Sequence, residues 1–232
     1  MILVGIDDTD VVGARGTNKL ARALAARVSD RWRCRRILRH QLLFDPRIPF
    51  TSHNGSASLA FEPRGPERRG DLLDAIRSGM LADFIEGSDP GLCMAVDPPP
   101  AVVEFAQRCR REIVDAAEAR DLARAAGVHL EGLGGTEGGV IGALAAVGLA
   151  ATGDHGRVVQ DERWSGEVQG VAPLDAIRAR GVEAVLEEAG GREVRSGLVD
   201  VGKKLRPNRR GGRTVLLVEP AGPDRWRALR RD

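Results

Sequence analysis

Residues 2 to 10, Ile2-Leu3-Val4-Gly5-Ile6-Asp7-Asp8-Thr9-Asp10, run from a short apolar segment straight into three carboxylates within four positions. An unbroken apolar run of this length reads as a buried strand. The acidic residues then fall at its carboxyl end, the edge where α/β sheets bind ligands. Asp7, Asp8 and Asp10 would repel one another unless a cation sat between them. Mg²⁺ takes one or two carboxylates together with waters and phosphate oxygens, and so fits that need. Asp and Thr are also favoured in turns and helix caps, but three acidic side chains together favour metal or nucleotide chemistry. The segment has neither the charged start nor the long apolar core of a signal peptide, so the expectation is an internal strand of a cytoplasmic protein.

Working outward, Leu20, Ala21, Leu24, Ala25 and Val28 have helical spacing, with Thr17 placed to cap the helix they form. Strands are expected over 37–44 and 56–61, separated by a Pro-containing loop that ends in the Asn54-Gly55 turn. A helix over 71–86 and a strand over 92–96 follow. The order β-α-β-β-α-β over the first hundred residues is that of a ferredoxin-like module. Asp97-Pro98-Pro99-Pro100 can neither continue a strand ladder nor sit inside a helix, which predicts a domain boundary with residues 1–98 on one side and 99–232 on the other. Beyond it the pattern predicts one long helix over 101–126 and a strand near 128–130. A Gly-rich loop, a helix over 141–151, an amphipathic helix over 173–189 and strands at 198–201 and 214–219 complete the second module. The fold class is α+β, an α/β sandwich.

Composition narrows the function. The chain has 232 residues, 42% hydrophobic and 29% charged, with no apolar run long enough to span a bilayer. Cys34, Cys93 and Cys109 are scattered, which excludes a zinc ribbon or finger in this sequence. The net charge is only +2, but residues 191–232 carry 12 Lys/Arg against 5 Asp/Glu. An anionic partner is therefore sought at that end. Six cations fall between Lys203 and Arg213, a loop that could meet the phosphates of RNA or a nucleotide. With Arg used 32 times and Lys three, a merely solvated loop is an equal reading. No aromatic residue interrupts the loop to stack on bases.

Two further stretches carry candidate ligand groups. Gly132-Leu133-Gly134-Gly135-Thr136-Glu137-Gly138-Gly139-Val140-Ile141-Gly142 is a Gly-rich loop opening a helix, where free amides favour a phosphate. Equally, the small residues Gly138, Gly142 and Ala146 would let that helix pack closely on a sheet, and spacing alone leaves both readings open. Neither a Walker A nor a dinucleotide fingerprint is present. Phe44 to Gly55 holds Arg47, Thr51, Ser52, His53 and Asn54 in a loop stiffened by two prolines. It reads first as a long loop ending in a turn, with Arg47, His53 and Asn54 as its candidates for facing a substrate.

Taken together, the segments Gly5-Ile6-Asp7-Asp8-Thr9-Asp10 with Gly16-Thr17, Ile48-Pro49-Phe50, Asn54-Gly55, Pro90-Gly91 and Ile141-Gly142-Ala143-Leu144-Ala145-Ala146-Val147-Gly148 resemble the catalytic core of the tRNA-isoleucine 2-agmatinylcytidine synthetase family. The resemblance implies a kinase-like and a ferredoxin-like domain that use ATP and Mg²⁺ to phosphorylate a carbonyl-type oxygen, which an amine then displaces. It places Asp7, Asp8 and Asp10 on the family's acidic motif as metal and phosphate ligands, and Thr17 where the family phosphorylates itself. Thr9, Gly16, Asn18, Gly138, Gly139, Ile141 and Gly142 fall on its nucleotide-binding segments. Asn18 and Lys19 stand where the family usually has a second threonine and an aromatic. The family's OB-fold and zinc ribbon have no counterpart here, so the expected acceptor is a small molecule or a nucleotide rather than a folded tRNA. The rival classes are a nucleotide- or RNA-binding module without turnover, and a tRNA-modifying subunit served by a separate RNA-binding partner.

Overall fold

The computed structural model describes residues 1–48, 50, 53–164 and 166–231. It falls into two compact units, Met1–Thr152 and Gly153–Asp232.

In chain order the first unit contains β1 (Ile2–Asp7), α1 (Thr17–Arg27), β2 (Trp32–Gln41), β3 (Gly55–Pro63), α2 (Arg69–Ala82) and β4 (Gly91–Val96). It continues through α3 (Pro100–Arg108), α4 (Ala116–Ala125), β5 (His129–Gly132) and α5 (Val140–Ala151). The strands lie in the order β5-β4-β1-β3-β2, with every neighbouring pair antiparallel. The chain is therefore α+β, and its first six elements follow the predicted β-α-β-β-α-β order. β1 sits at the centre, its apolar run buried as the sequence implies. Alternate residues divide between two faces. The face bearing Gly5 takes α5, which packs on β1, β3 and β4 and is backed by α3 and α4. α1 packs on β1, β2 and β3 through Leu20, Ala21 and Leu24, with α2 beside it.

Close approach explains the small residues. A Cβ on Gly5 would strike the Ala143 carbonyl, and one on Gly91 the backbone of Gly139. α5 itself is Ala- and Gly-rich and buried almost all round, as a helix covered on several sides must be.

Several expectations are corrected. The Pro98-Pro99-Pro100 run does not divide domains: Pro100 opens α3 at a position that needs no N–H donor. Because α3 packs on α5 and α5 on β1, both sides of the Pro run belong to one unit. The Gly-rich loop and its helix thus lie with the acidic strand rather than in a second module. The long helix is two helices, broken where the Asp115 carboxylate accepts from Glu118 N at 2.7 Å and caps α4. α1 is capped from a distance: Gly16 holds the cap position, Thr17 is the first helical residue, and Asp10 Oδ2 accepts from Thr17 N at 3.0 Å.

The second unit contains β6 (Arg157–Asp161), β7 (Val171–Pro173), α6 (Leu174–Ala179), β8 (Ala184–Glu187), β9 (Leu198–Asp200), β10 (Asn208–Arg210), β11 (Arg213–Pro220) and β12 (Arg225–Ala228). Its strands run β6-β10-β11-β12-β9-β7, and β8 joins β11 in parallel. The helix expected over 173–189 stops after six residues. Gly181 takes φ +96, Val182 then turns into the core, and Val185 enters it from the strand β8. Inside this unit Arg163 bridges buried Asp161 (2.9 Å) and Glu183 (3.2 Å), and Glu183 accepts from Thr214 N at 2.6 Å. The basic loop is partly built into this fold. Arg209 is 7% exposed and donates to Thr214 Oγ1 at 3.1 Å, whereas Lys203, Lys204 and Arg213 are exposed. Among the described residues no helix is long and apolar enough to cross a membrane.

Candidate active site

At the carboxyl end of β1 the first unit opens into a cavity of about 300 Å³, within the range of small-ligand sites. Asp7, Asp8 and Asp10 line it together with Gly16, Thr17 and Asn18 from the start of α1, and Gly138, Gly139, Ile141 and Gly142 from the start of α5. His53 and Asn54 lie on its wall. Two of the sequence candidates are not on the lining. Thr9 is 3% exposed and lies beneath, donating through Oγ1 to Thr17 Oγ1 at 3.1 Å, so it orients the Thr17 hydroxyl instead of meeting a ligand. Arg47 is exposed and forked onto Asp45, with contacts of 2.8 Å from Nε and NH2, an arrangement that holds the Asp45 carboxyl down at about 2. Its guanidinium is spent within its own turn. Thr51 and Ser52 lie outside the described residues.

The acidic loop is electrostatically loaded. Burial pushes the Asp7 carboxyl up to about 7, helped by the charges of Asp8 and Asp10; a hydrogen bond from the Asp8 backbone and the charge of Arg39 act the other way. Burial likewise raises Asp8 to about 6, with Asp89 and Asp10 adding repulsion. Asp8 adopts φ +48, a left-handed conformation that Asp tolerates better than most residues. A side chain at Gly142 would run into the Asp7 carboxylate, so glycine there lets the acid reach the first turn of α5.

The residue that organises the cavity is Asp89, which the sequence reading passed over. Its N–H donates to Asp8 O at 3.1 Å and its carbonyl accepts from Gly139 N at 3.1 Å. Its carboxylate accepts from Thr136 N, Thr136 Oγ1 and Glu137 N. The expectation that the Gly-rich amides are free for phosphate is corrected for three of them: Asp89 already takes the Thr136, Glu137 and Gly139 N–H groups. The available signal was an acid directly before Pro90-Gly91, at the entry to the strand paired with β1. Arg39 is the other omission. It follows Ile37-Leu38 near the carboxyl end of β2, is 8% exposed, and lines the cavity.

The remaining wall is apolar, formed by Leu42, Ile48, Phe50, Ile113 and Val114, with Cys109 among them. Burial, then the charge of Glu118, pushes the Cys109 thiol up to about 12, so it is no thiolate at neutral pH. Among the described residues no three His, Cys, Asp or Glu gather as a metal cage. A Mg²⁺ ion needs less: one or two hard carboxylates, with water and phosphate oxygens completing the shell. Asp7 and Asp8 supply those, and Asn18 Oδ1, buried without a hydrogen-bond partner, is a further acceptor awaiting a donor or a cation on the same lining. The donor set fits the ion.

No family model matches the chain, and no curated protein matches it in sequence. Solved structures do. A tRNA fluorescent labeling enzyme aligns at 25% identity and TM-score 0.53, covering 63% of this chain and 35% of that one. Apo TiaS, a tRNAIle2 agmatidine synthetase, gives 25% identity, TM-score 0.52 and the same coverage. The TiaS complex with tRNA(Ile2) and ATP gives 26% identity and TM-score 0.53 over 63% and 36%. The chain therefore spans about a third of the length of the structures it resembles, as a partial catalytic core would.

Proposed function

We propose that the first unit is the ATP-handling core of a ligase of the tRNA-modifying kind, with the β-α-β-β-α-β elements as its ferredoxin-like part. The observation that carries this reading is the cavity: three carboxylates after β1, the Thr17 hydroxyl opening α1 and the Gly-rich entry to α5 share one lining. The likeness to TiaS bound to tRNA(Ile2) and ATP supports it.

The reaction in view has two displacements. The acceptor oxygen, of a carbonyl or amide in a nucleotide or small molecule, takes the γ-phosphoryl group as the bond to ADP breaks. An amine then forms the C–N bond as phosphate departs and the amine gives up a proton. Phosphoryl transfer asks for positioning and charge neutralisation more than for covalent help. Mg²⁺, when bound, neutralises phosphate charge, and Asp7 and Asp8 would hold it. Asp10, tied to the amide of Thr17, fixes the start of α1, so that the Thr17 hydroxyl can contact the phosphate or carry it transiently. Gly16, Asn18, Gly138, Ile141 and Gly142 border the nucleotide. His53 and Asn54 lie on the acceptor side, although the Asn54 amide is already committed to Leu43 O at 2.7 Å. RNA contact, if the acceptor belongs to one, would draw on the exposed Lys203, Lys204 and Arg213.

The test is thermal unfolding of the whole chain with ATP, ADP or buffer, each with and without Mg²⁺, for wild type and Asp8→Asn. A nucleotide at a hundred times its dissociation constant stabilises by about 2.7 kcal/mol, a rise of a few degrees. The expected result is a Mg²⁺-dependent rise with ATP that is lost in Asp8→Asn, whose own melting stays cooperative. No rise at millimolar ATP, or one that survives the substitution, defeats the reading.

A further inference from the structure

Five carboxylates line the cavity, those of Asp7, Asp8, Asp10, Asp89 and Glu112. Among the described lining residues the only Lys or Arg is Arg39. A triphosphate brings several more negative charges into this space. The amides that might have met them at Thr136, Glu137 and Gly139 are engaged by Asp89. Positive charge for the phosphate tail must then come from a divalent ion and from Arg39.

Arg39 is built for such a role. Its backbone is fixed in β2 by pairing opposite Ala57 of β3. Its NH2 donates to Gln41 Oε1 at 2.9 Å and to His53 O at 3.4 Å, which sets the plane of the guanidinium. Gly55 makes the room: a Cβ there would lie 2.7 Å from Arg39 NH2. The group is thus a buried, oriented fork on the cavity wall, close enough to Asp7 to favour its charged form. A planar fork that is always protonated matches the oxygens of a phosphoryl group in transfer better than a flexible ammonium does.

We propose that Arg39 is a catalytic residue that binds the equatorial oxygens of the γ-phosphoryl group while it passes from ADP to the acceptor oxygen. The inference rests on the nucleotide reading of the cavity. In this step the bond from phosphorus to the β–γ bridging oxygen breaks with its electron pair kept by ADP. The bond to the acceptor oxygen forms, and Arg39 stays protonated throughout. Since charge on the equatorial oxygens is met most closely in transit, Arg39 contributes more to the transfer than to holding ATP.

The acceptor is not needed for the test. Mg²⁺-ADP with aluminium fluoride mimics the phosphoryl group in flight, and its affinity is compared with that of Mg²⁺-ADP alone for wild type, Arg39→Ala and Arg39→Lys, using the full chain. Arg39→Ala should lose about a hundredfold in affinity for the aluminium fluoride complex while ADP affinity changes less than about threefold. Arg39→Lys should recover only a small part, and added guanidinium ion should restore tight binding to Arg39→Ala but not to wild type, which needs none. Equal losses for ADP and for the mimic, or full recovery with Lys, overturn the proposal. If Arg39→Ala does not fold, Arg39→Lys carries the same comparison, and a wild-type ratio of mimic to ADP affinity in that variant overturns it. Failure of wild type to bind any Mg²⁺-nucleotide is a different result: it removes the nucleotide reading itself and Arg39's role with it.

Discussion

Asp7 joins the electrostatics of the cavity to the stability of the fold. Its carboxyl is pushed up to about 7 in the native chain, against about 3.9 for an unperturbed Asp. Between those values the folded state binds more protons than the unfolded one, so this group lends stability at low pH and loses it as pH rises towards 7. Asp7→Asn should therefore match wild type near pH 4 and exceed it above pH 7, by about 2 kcal/mol in urea unfolding without divalent ions. The full shift would correspond to ~4 kcal/mol, reduced here because the carboxylate faces an open cavity. A gap that is constant with pH would mean that the penalty does not lie on Asp7. If Asp7 holds the proposed Mg²⁺, metal affinity should fall as pH drops below 7, since protons and cation would compete for one carboxylate. Asp89 acts through hydrogen bonds instead. Asp89→Ala removes the acceptor of the Thr136 N–H and hydroxyl, while the Glu137 N–H keeps the Gly134 carbonyl, and should lower stability by about 1 kcal/mol, read as a lower urea midpoint; an unchanged midpoint would show that water replaces the carboxylate at no cost.

At the scale of elements, the decisive contact is the close seating of α5 on β1. Gly5→Ala asks the Ala143 carbonyl to move, and backbone on both sides cannot yield as a side chain would. A loss of about 3 kcal/mol is expected, at the upper end for overpacking. A urea midpoint within error of wild type would rule out so near an approach. Strands and helices with clean periodicity were legible beforehand: β1, β3, β4, α1 and α5 all lie where apolar spacing put them. The start of β2 was not, because Trp32 to Arg36 is mostly charged and its strand character comes from pairing with β3. The 101–126 helix was overdrawn since helical propensity continues across a break that one capping Asp decides. In the cavity, the acidic and Gly-rich segments announced themselves by local composition. Asp89 and Arg39 did not, because each matters through partners far away in sequence.

For the molecule as a whole, the boundary between compact units at 152/153 makes a prediction that the Pro run would not. A chain ending at Thr152 should unfold cooperatively and retain whatever response to Mg²⁺-ATP the whole chain gives, whereas one ending at Val96 should not fold. The shorter fragment retains the β-α-β-β-α-β elements but leaves Gly5, Gly91 and Cys93 without α5. Circular dichroism on heating distinguishes them, and cooperative melting of the shorter fragment would restore the earlier boundary. Local pattern could not place that boundary, because a proline run marks where a chain turns and not which surfaces are later covered. The second unit was the least legible part: β9 and β11 lie where strands were expected, but β6, β7 and β10, of three to five residues, carry too few alternations to stand out.

The distance along the chain between β1 and α5 has a consequence in time. β1 is made first of the two, and the helix that covers one of its faces comes more than a hundred residues later. At roughly 5–20 residues per second, that face waits about ten seconds for its cover on the ribosome. The nascent chain should then be a client of holding chaperones until Ala151 emerges, and the cavity is not complete before that moment.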